Sequence, residues 1–212
     1  MASRSAQTIV VVTGGDEVAP EHLPVLPLDA FVVAADSGVD RARALGLHVD
    51  LAVGDFDSVT LAGLEEVEVE GGQVERHPEA KDETDFELAL RVAASRRPDR
   101  VIVVGGHGGR LDHLLANALL LAAPALAAVD EVVAQMGAAR VTVVRSSAVL
   151  SGAPGDLVTL LPTHGPALGV RTERLLYPLV DEDLPEGTSR GVSNEFVSAT
   201  AAVSIPGGIL LA

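Results

Sequence analysis

Between residue 8 and about residue 125, short β-branched runs alternate with segments of helical period. TIVVVTGG, FVVAADSG, LAVGDFDSV and VIVVGG are continuous apolar runs that break into glycine or acid. That pattern belongs to strands buried on both faces, as in a parallel sheet, rather than to half-exposed strands. VDRARALGL, DETDFELALRVAAS from Asp82 and DHLLANALLLAA from Asp112 instead repeat apolar residues at helix spacing. The alternation predicts βαβ units, a parallel sheet with helices on its faces. From Pro124 to Asp130 the character changes. EVVAQ, ARVTVV, AVLS, DLVTLLP, GVRTERLLYPL, SATAAVSI and GILLA follow, punctuated by glycine and proline and without a helical run. These predict a small antiparallel sandwich or barrel. The expected boundary lies near residue 128, with an α/β domain over 1–128 and a β domain over 129–212. GLEEVEVEGGQVE is acidic enough to read as a solvated strand or loop, and no repeat or heptad is present.

The candidate chemistry sits where those runs end. Asp36, Asp55, Asp57, Asp82, Asp85 and Asp112 stand at or just beyond the apolar segments, the edge at which open α/β sheets bind ligands. Carboxylates that repel one another gain from sharing a hard divalent cation. Mg²⁺ takes one or two of them and completes its octahedron with water and substrate phosphates. The acids therefore point to a magnesium-bound phosphate ligand. In an extended GDFDS segment Asp55 and Asp57 face one way while Phe56 turns into the packing. Ser58 beside them caps the next turn or touches phosphate. An i, i+3 spacing lays Asp82 and Asp85 along one helix face with Thr84 between. The plainer reading is an N-cap and a first-turn acid, and Asp112 likewise opens the next helix.

Two glycine loops add backbone donors with no Cβ to hold a phosphate away: Gly14 and Gly15, then Gly105, Gly106, Gly108 and Gly109. Neither is a Walker A loop or a dinucleotide fingerprint in its usual context. Arg110 follows the second loop as a fork-shaped phosphate donor. Lys81 offers a point charge or is a solvated lysine at a helix entrance. His107 lies within the glycine loop, and no HxH or HExxH pairing supports zinc. No GxSxG or nucleophilic triad is present.

Composition narrows the class. The 212 residues hold 30 acidic against 15 basic side chains, a net charge of −15, which argues against long nucleic-acid partners. With no cysteine, disulfides, thiolate zinc sites and thiol nucleophiles are excluded, and a cytoplasmic setting is expected. The N-terminal apolar run is too short for a signal peptide, and no stretch reaches the length of a membrane span.

Taken in order, ADSG, GDFDS, KDETDFELAL and GGRLDHLLAN, with LLYPL and GVSNEF later, resemble the signature blocks of the thiamine pyrophosphokinase (thiamine diphosphokinase) family. The resemblance runs from about residue 8 to the end. It implies an α/β nucleotide-binding domain followed by a β-sandwich domain, assembled as a homodimer. It also implies transfer of the pyrophosphoryl group of ATP to thiamine, giving AMP and thiamine diphosphate with Mg²⁺. Carried over, it gives metal or pyrophosphate roles to Asp55, Asp57, Asp82 and Asp85, with Asp36 in the same cleft. Arg110 becomes a phosphate contact and Asp112 a substrate-side carboxylate. Ser193 and Asn194 are placed beside thiamine. In the resulting assignment Asp82, Asp85, Arg110 and Asp112 are catalytic. Asp55, Asp57 and Asp85 hold metal. Gly14, Gly15, Asp36, Ser58, Lys81, Thr84, Gly109, Ser193 and Asn194 bind substrates. Asp82 or Asp112, when not saturated by metal, takes the hydroxyl proton. Two departures stand out: Ser37 replaces the second glycine of the usual ADGG, and no tryptophan is available to stack on the thiamine ring, leaving Tyr177 or Phe196. A pyrophosphokinase for another alcohol such as a hydroxymethyl-pterin, a non-catalytic nucleotide sensor and a nucleotide hydrolase are the competing readings.

Overall fold

The computed structural model describes residues 7–212; the polar start of the N-terminus, residues 1–6, lies outside the described residues. The chain divides into two compact units, one ending at Arg140 and the other running Val141–Ala212.

In the first unit, β1 (Thr8–Thr13), β2 (Phe31–Ala35), β3 (Leu51–Gly54), β4 (Gln73–Arg76), β5 (Arg100–Val104) and β6 (Glu131–Met136) form parallel pairs. Their order is β6-β5-β1-β2-β3-β4. The expected runs are buried on both faces: Ile9, Val10 and Val11 in β1 and Val101, Ile102 and Val103 in β5 are all fully buried. The chain winds outward from β1 to β4, then returns to lay β5 on the other side of β1. The strand order therefore reverses between β1 and β5, and a crevice opens at their C-terminal ends.

Four helices join these strands: α1 (Gly38–Ala44), α2 (Leu61–Val69), α3 (Asp85–Ser95) and α4 (Leu111–Leu120). Val39 and Ala42 of α1 and Leu64 and Val67 of α2 pack with Val10, Val12 and Ile102 in one apolar cluster. α3 packs across β1, β2 and β3 through a stripe that includes Phe86, Ala89, Leu90 and Ala93.

Three details differ from the sequence reading. The helix expected from Asp82 starts at Asp85, because Thr84 is its N-cap and its hydroxyl accepts from the Glu87 N–H at 3.2 Å. Asp82 precedes the helix, so no helix face joins it to Asp85. GLEEVEVEGGQVE is the expected solvated strand only at its end, where β4 begins at Gln73; its larger part is the body of α2. Thr60 caps α2 by accepting from Gly63 N–H at 3.1 Å, and burial of Leu64 and Val67, three residues apart, selects the helix over the two-residue period that the alternating Glu and Val suggest. EVVAQ belongs to β6. It pairs in parallel with β5 from Arg100↔Glu131 to Val104↔Gln135, so the first unit extends past residue 128 to Arg140.

The second unit is antiparallel throughout. Its strands are β7 (Ala139–Val144), β8 (Ser147–Ser151), β9 (Leu157–Val158), β10 (Leu161–Pro162), β11 (Ala167–Glu173), β12 (Glu182–Leu184), β13 (Asn194–Glu195), β14 (Thr200–Ser204) and β15 (Leu210–Leu211). β12-β11-β14-β8 form one sheet, β15 pairs with β7 and β10, and β13 pairs with β9. Val144, Leu150, Leu160, Val170, Leu184, Phe196, Val203 and Leu210 share a single core, as in a small sandwich. Among the described residues no helix is long and apolar enough to cross a membrane.

Ile102→Ala, at the fully buried centre of β5, is expected to cost about 2–5 kcal/mol. Val69→Ala, at an 86% exposed position, should stay within about 0.5 kcal/mol of the parent. Urea unfolding followed by circular dichroism compares them, and equal midpoints would contradict the burial assigned to β5.

Candidate active site

The crevice between β1 and β5 is built from the two glycine loops, which are tied together by their backbones. Gly106 N–H donates to the Gly14 carbonyl at 2.9 Å and Asp16 N–H to the His107 carbonyl at 2.9 Å. Buried Asn117 of α4 reinforces the junction, its Nδ2 donating to the Gly106 carbonyl at 3.0 Å. Gly15 has φ +110°, and a Cβ there would lie 2.3 Å from the His107 carbonyl oxygen. Only glycine allows this approach. Beside the loops opens a cavity of about 430 Å³ bordered by Gly14, Gly15, Asp36, Lys81, Asp85 and Arg110, among others. Its size suits a small-molecule ligand.

The acids converge beside it: Asp36 borders the cavity, whereas Asp55 and Asp57 do not. Asp36, Asp55 and Asp57 each present a carboxylate oxygen, and these oxygens lie within 4.8 Å of one another. The local route differs from the extended strand that the sequence suggests. β3 ends at Gly54, and Phe56 takes φ +61° while its ring is 8% exposed. Asp57 N–H then donates back to Asp55 Oδ1 at 3.3 Å. The ring is held in the cluster under the sheet, with the Arg76 guanidinium 5.2 Å from its centroid, which offsets the cost of a left-handed bulky residue. Asp36 also has a positive φ, +44°, a conformation that aspartate tolerates better than most residues. Burial pushes the Asp36 carboxyl above the usual range, and the charges of Asp85, Asp57 and Asp55 add to this against an opposing Ser37 N–H. Its Oδ1 is buried without a hydrogen-bond partner. Hard oxygen donors, mutual repulsion and an orphaned buried oxygen make the trio a fit for Mg²⁺.

Asp85 stands next to the trio and pairs with a lysine. Lys81 Nζ lies 2.8 Å from Asp55 Oδ2 and 3.0 Å from Asp85 Oδ1. The hydrogen bond from Lys81 holds the Asp55 carboxyl below the usual carboxylate range. Burial works against the Lys81 charge, yet the bonds to Asp55 and Asp85 outweigh it and raise the ammonium.

The remaining expected residues are distributed unevenly. Thr84, Gly109 and Arg110 border the cavity, whereas Asp82 and Asp112 are exposed and do not. Arg110 clasps Asp112, with Nε to Oδ1 at 3.2 Å and Nη2 to Oδ2 at 2.6 Å, and this contact holds the Asp112 carboxyl low. Ser58 donates to Asp57 Oδ1 at 2.7 Å. Ser37, where the resemblance expects a glycine, has φ −57°, so the turn needs no glycine there. Ser193 and Asn194 lie in the second unit. Asn194 is buried and its amide is committed: Oδ1 accepts from Tyr177 N–H and Glu195 N–H, and Nδ2 donates to the Tyr177 carbonyl. Phe196 is in the core of that unit and has no free face for stacking, while Tyr177 is exposed. Sequence reasoning did not single out Asn117, Asp16 or Thr13. Only Asn117 left a signal, a polar residue on the apolar side of DHLLANALL.

Two family models match the chain: the thiamin pyrophosphokinase catalytic domain over residues 25–133, a little over half of the chain, and the thiamin pyrophosphokinase vitamin B1 binding domain over residues 145–210. The chain belongs to the thiamin pyrophosphokinase family. A thiamine pyrophosphokinase of Bacillus subtilis (strain 168) is 32% identical over 116 residues. That aligned stretch is 54% of this chain and 54% of the relative, about half of its length. Among solved structures, a thiamine pyrophosphokinase from Bacillus subtilis superposes with a TM-score of 0.81 at 24% identity, covering 97% of each chain. A thiamin pyrophosphokinase family protein from Enterococcus faecalis gives 0.78 at 28% identity, again with 97% of each chain covered. The catalytic-domain match contains the acid trio, Lys81, Asp85 and Arg110; the first glycine loop precedes it.

Gly15→Ala is expected to cost about 1–3 kcal/mol from the forced left-handed backbone and to loosen the two loops. Hydrogen exchange of the Asp16 amide reads the second effect: it should speed up in Gly15→Ala and stay unchanged in Gly46→Ala, where a Cβ meets nothing within 4 Å.

Proposed function

We propose that this chain transfers the pyrophosphoryl group of ATP to the hydroxyethyl oxygen of thiamine. The bond between the β-phosphorus and the oxygen bridging it to the α-phosphorus breaks, and a bond from the thiamine oxygen to the β-phosphorus forms. AMP and thiamine diphosphate leave, and the hydroxyl proton is released. One observation carries the reading: three carboxylates gathered just past β2 and β3, of which Asp36 borders one cavity with the glycine loops that follow β1 and β5, within a family whose name specifies this chemistry. The match to a vitamin B1 binding domain over residues 145–210 supports thiamine as the acceptor.

Asp36, Asp55 and Asp57 would hold the Mg²⁺, Asp36 taking the place that the sequence reading gives to Asp85, whose Oδ1 pairs with Lys81; when bound, the ion neutralises charge on the phosphates. The chain's own groups supply position. Gly14, Gly15 and Gly109 leave the cavity wall free of Cβ atoms, and Arg110 can turn from Asp112 to phosphate oxygens, since its side chain is 70% exposed. Holding the acceptor oxygen in line with the leaving group is the main demand of such a transfer. Asp82 or Asp112 accepts the hydroxyl proton in this reading. Ser193 and Asn194 serve the thiamine side, Asn194 by shaping the Tyr177 backbone. The reading includes a homodimer in the cytoplasm, with neither nucleic acid nor membrane as partner.

Incubation with ATP, Mg²⁺ and thiamine should release AMP only when thiamine is present. AMP formed without acceptor, or formed with a hydroxymethyl-pterin in place of thiamine, would overturn the assignment. Asp57→Asn should lose about 10²-fold or more in kcat, while Glu66→Gln, which removes an exposed ion pair with Arg43, should retain near-full activity. Near-full kcat with an unchanged pH–rate profile in both Asp82→Asn and Asp112→Asn would remove these two as proton acceptors.

A further inference from the structure

The surroundings of Lys81 do not suit a lysine that grips phosphate. Its ammonium lies in a cage of three protein oxygens: Asp55 Oδ2 at 2.8 Å, Asp85 Oδ1 at 3.0 Å and the Pro78 carbonyl at 3.2 Å. Of its three protons, two are donated in hydrogen bonds to Asp55 and Pro78, and the ion pair with Asp85 closes the third side. The side chain is only 12% exposed, and Asp85 Oδ1 is buried with no other partner. A phosphate could recruit this lysine only by stripping two carboxylates of their counter-charge. The cage instead resembles the coordination of a bound cation, with the cation covalently attached.

We propose that Lys81 is a permanent internal cation that aligns Asp55 with Asp85 and limits this acid corner to one divalent ion. The proposal rests on the reading of Asp36, Asp55 and Asp57 as the cation site. Four carboxylates meet here, Asp36, Asp55, Asp57 and Asp85. The lysine and one divalent ion balance three of the four charges. A second divalent ion would need Asp55 Oδ2 and Asp85 Oδ1, both of which the ammonium already occupies. Its compact, strongly hydrated charge fits a position otherwise open to a small metal ion. Lys81 is thus a positioning residue for the metal site rather than a substrate contact.

Mn²⁺ titration followed by electron paramagnetic resonance, without nucleotide, counts the ions held by the intact chain. The expected result is one tightly bound Mn²⁺ per wild-type chain, two per Lys81→Met chain and one per Lys81→Arg chain, with circular dichroism reporting that each variant is folded. One ion in both wild type and Lys81→Met would overturn the role of the lysine while leaving the trio intact. No bound ion in the wild type would overturn the trio reading, and the lysine proposal with it. Should Lys81→Met fail to fold, the wild type decides. The ¹⁵N signal of the Lys81 ammonium, protected by its two hydrogen bonds and the ion pair with Asp85, should persist on saturation with Mg²⁺, and its loss would show that the metal displaces the lysine.

Discussion

Repulsion among carboxylates is the constraint that the acid corner of the first unit has to satisfy. Two like unit charges about 4 Å apart near a protein surface repel by about 4 kcal/mol, and Asp36, Asp55 and Asp57 bring their oxygens within 4.8 Å. Solvent screens part of this at exposed Asp57. At half-buried Asp36 it does not, and there the carboxyl is pushed above its usual range. A cationic partner relieves such an arrangement. Lys81 supplies one compensating charge from within the chain, and in the proposed function a divalent ion would supply two more.

The backbone around this corner is correspondingly unusual. Asp36 and Phe56, each just past the end of a strand, have positive φ, and the glycine loops approach so closely that a Cβ at Gly15 would meet a carbonyl oxygen. Strain of this kind persists only where the surroundings hold it. Burial of the Phe56 ring beneath the sheet and the hydrogen bonds between the loops after β1 and β5 provide that support. The rigid parallel sheet carries the load, and the polar turns at its C-terminal edge inherit their positions from it.

Much of this was legible in the order of residues. Continuous apolar runs announced the parallel strands, and the shift to short punctuated segments announced the antiparallel unit. Acids and glycines at the ends of the runs marked the edge that matters. The errors have identifiable causes. Alternating Glu and Val in EEVEV imitates a strand, and only burial of Leu64 and Val67 shows the helix. EVVAQ follows an alanine-rich break opened by Pro124, so nothing local reveals that it returns to pair with β5. DETDF carries several competent capping residues, and Thr84 rather than Asp82 wins because the backbone turns there.

The amino-acid sequence alone determined which segments become buried strands and which side chains can bear charge, because hydrophobic period and residue type are local properties. Tertiary structure decided which charges meet. That Asp36 joins Asp55 and Asp57, that Lys81 fills the space between Asp55 and Asp85, and that Asp82 and Asp112 stay outside the cavity depends on left-handed turns and on strand neighbours far apart in the chain. Those are set by the packing of the whole sheet, which no short stretch of sequence encodes.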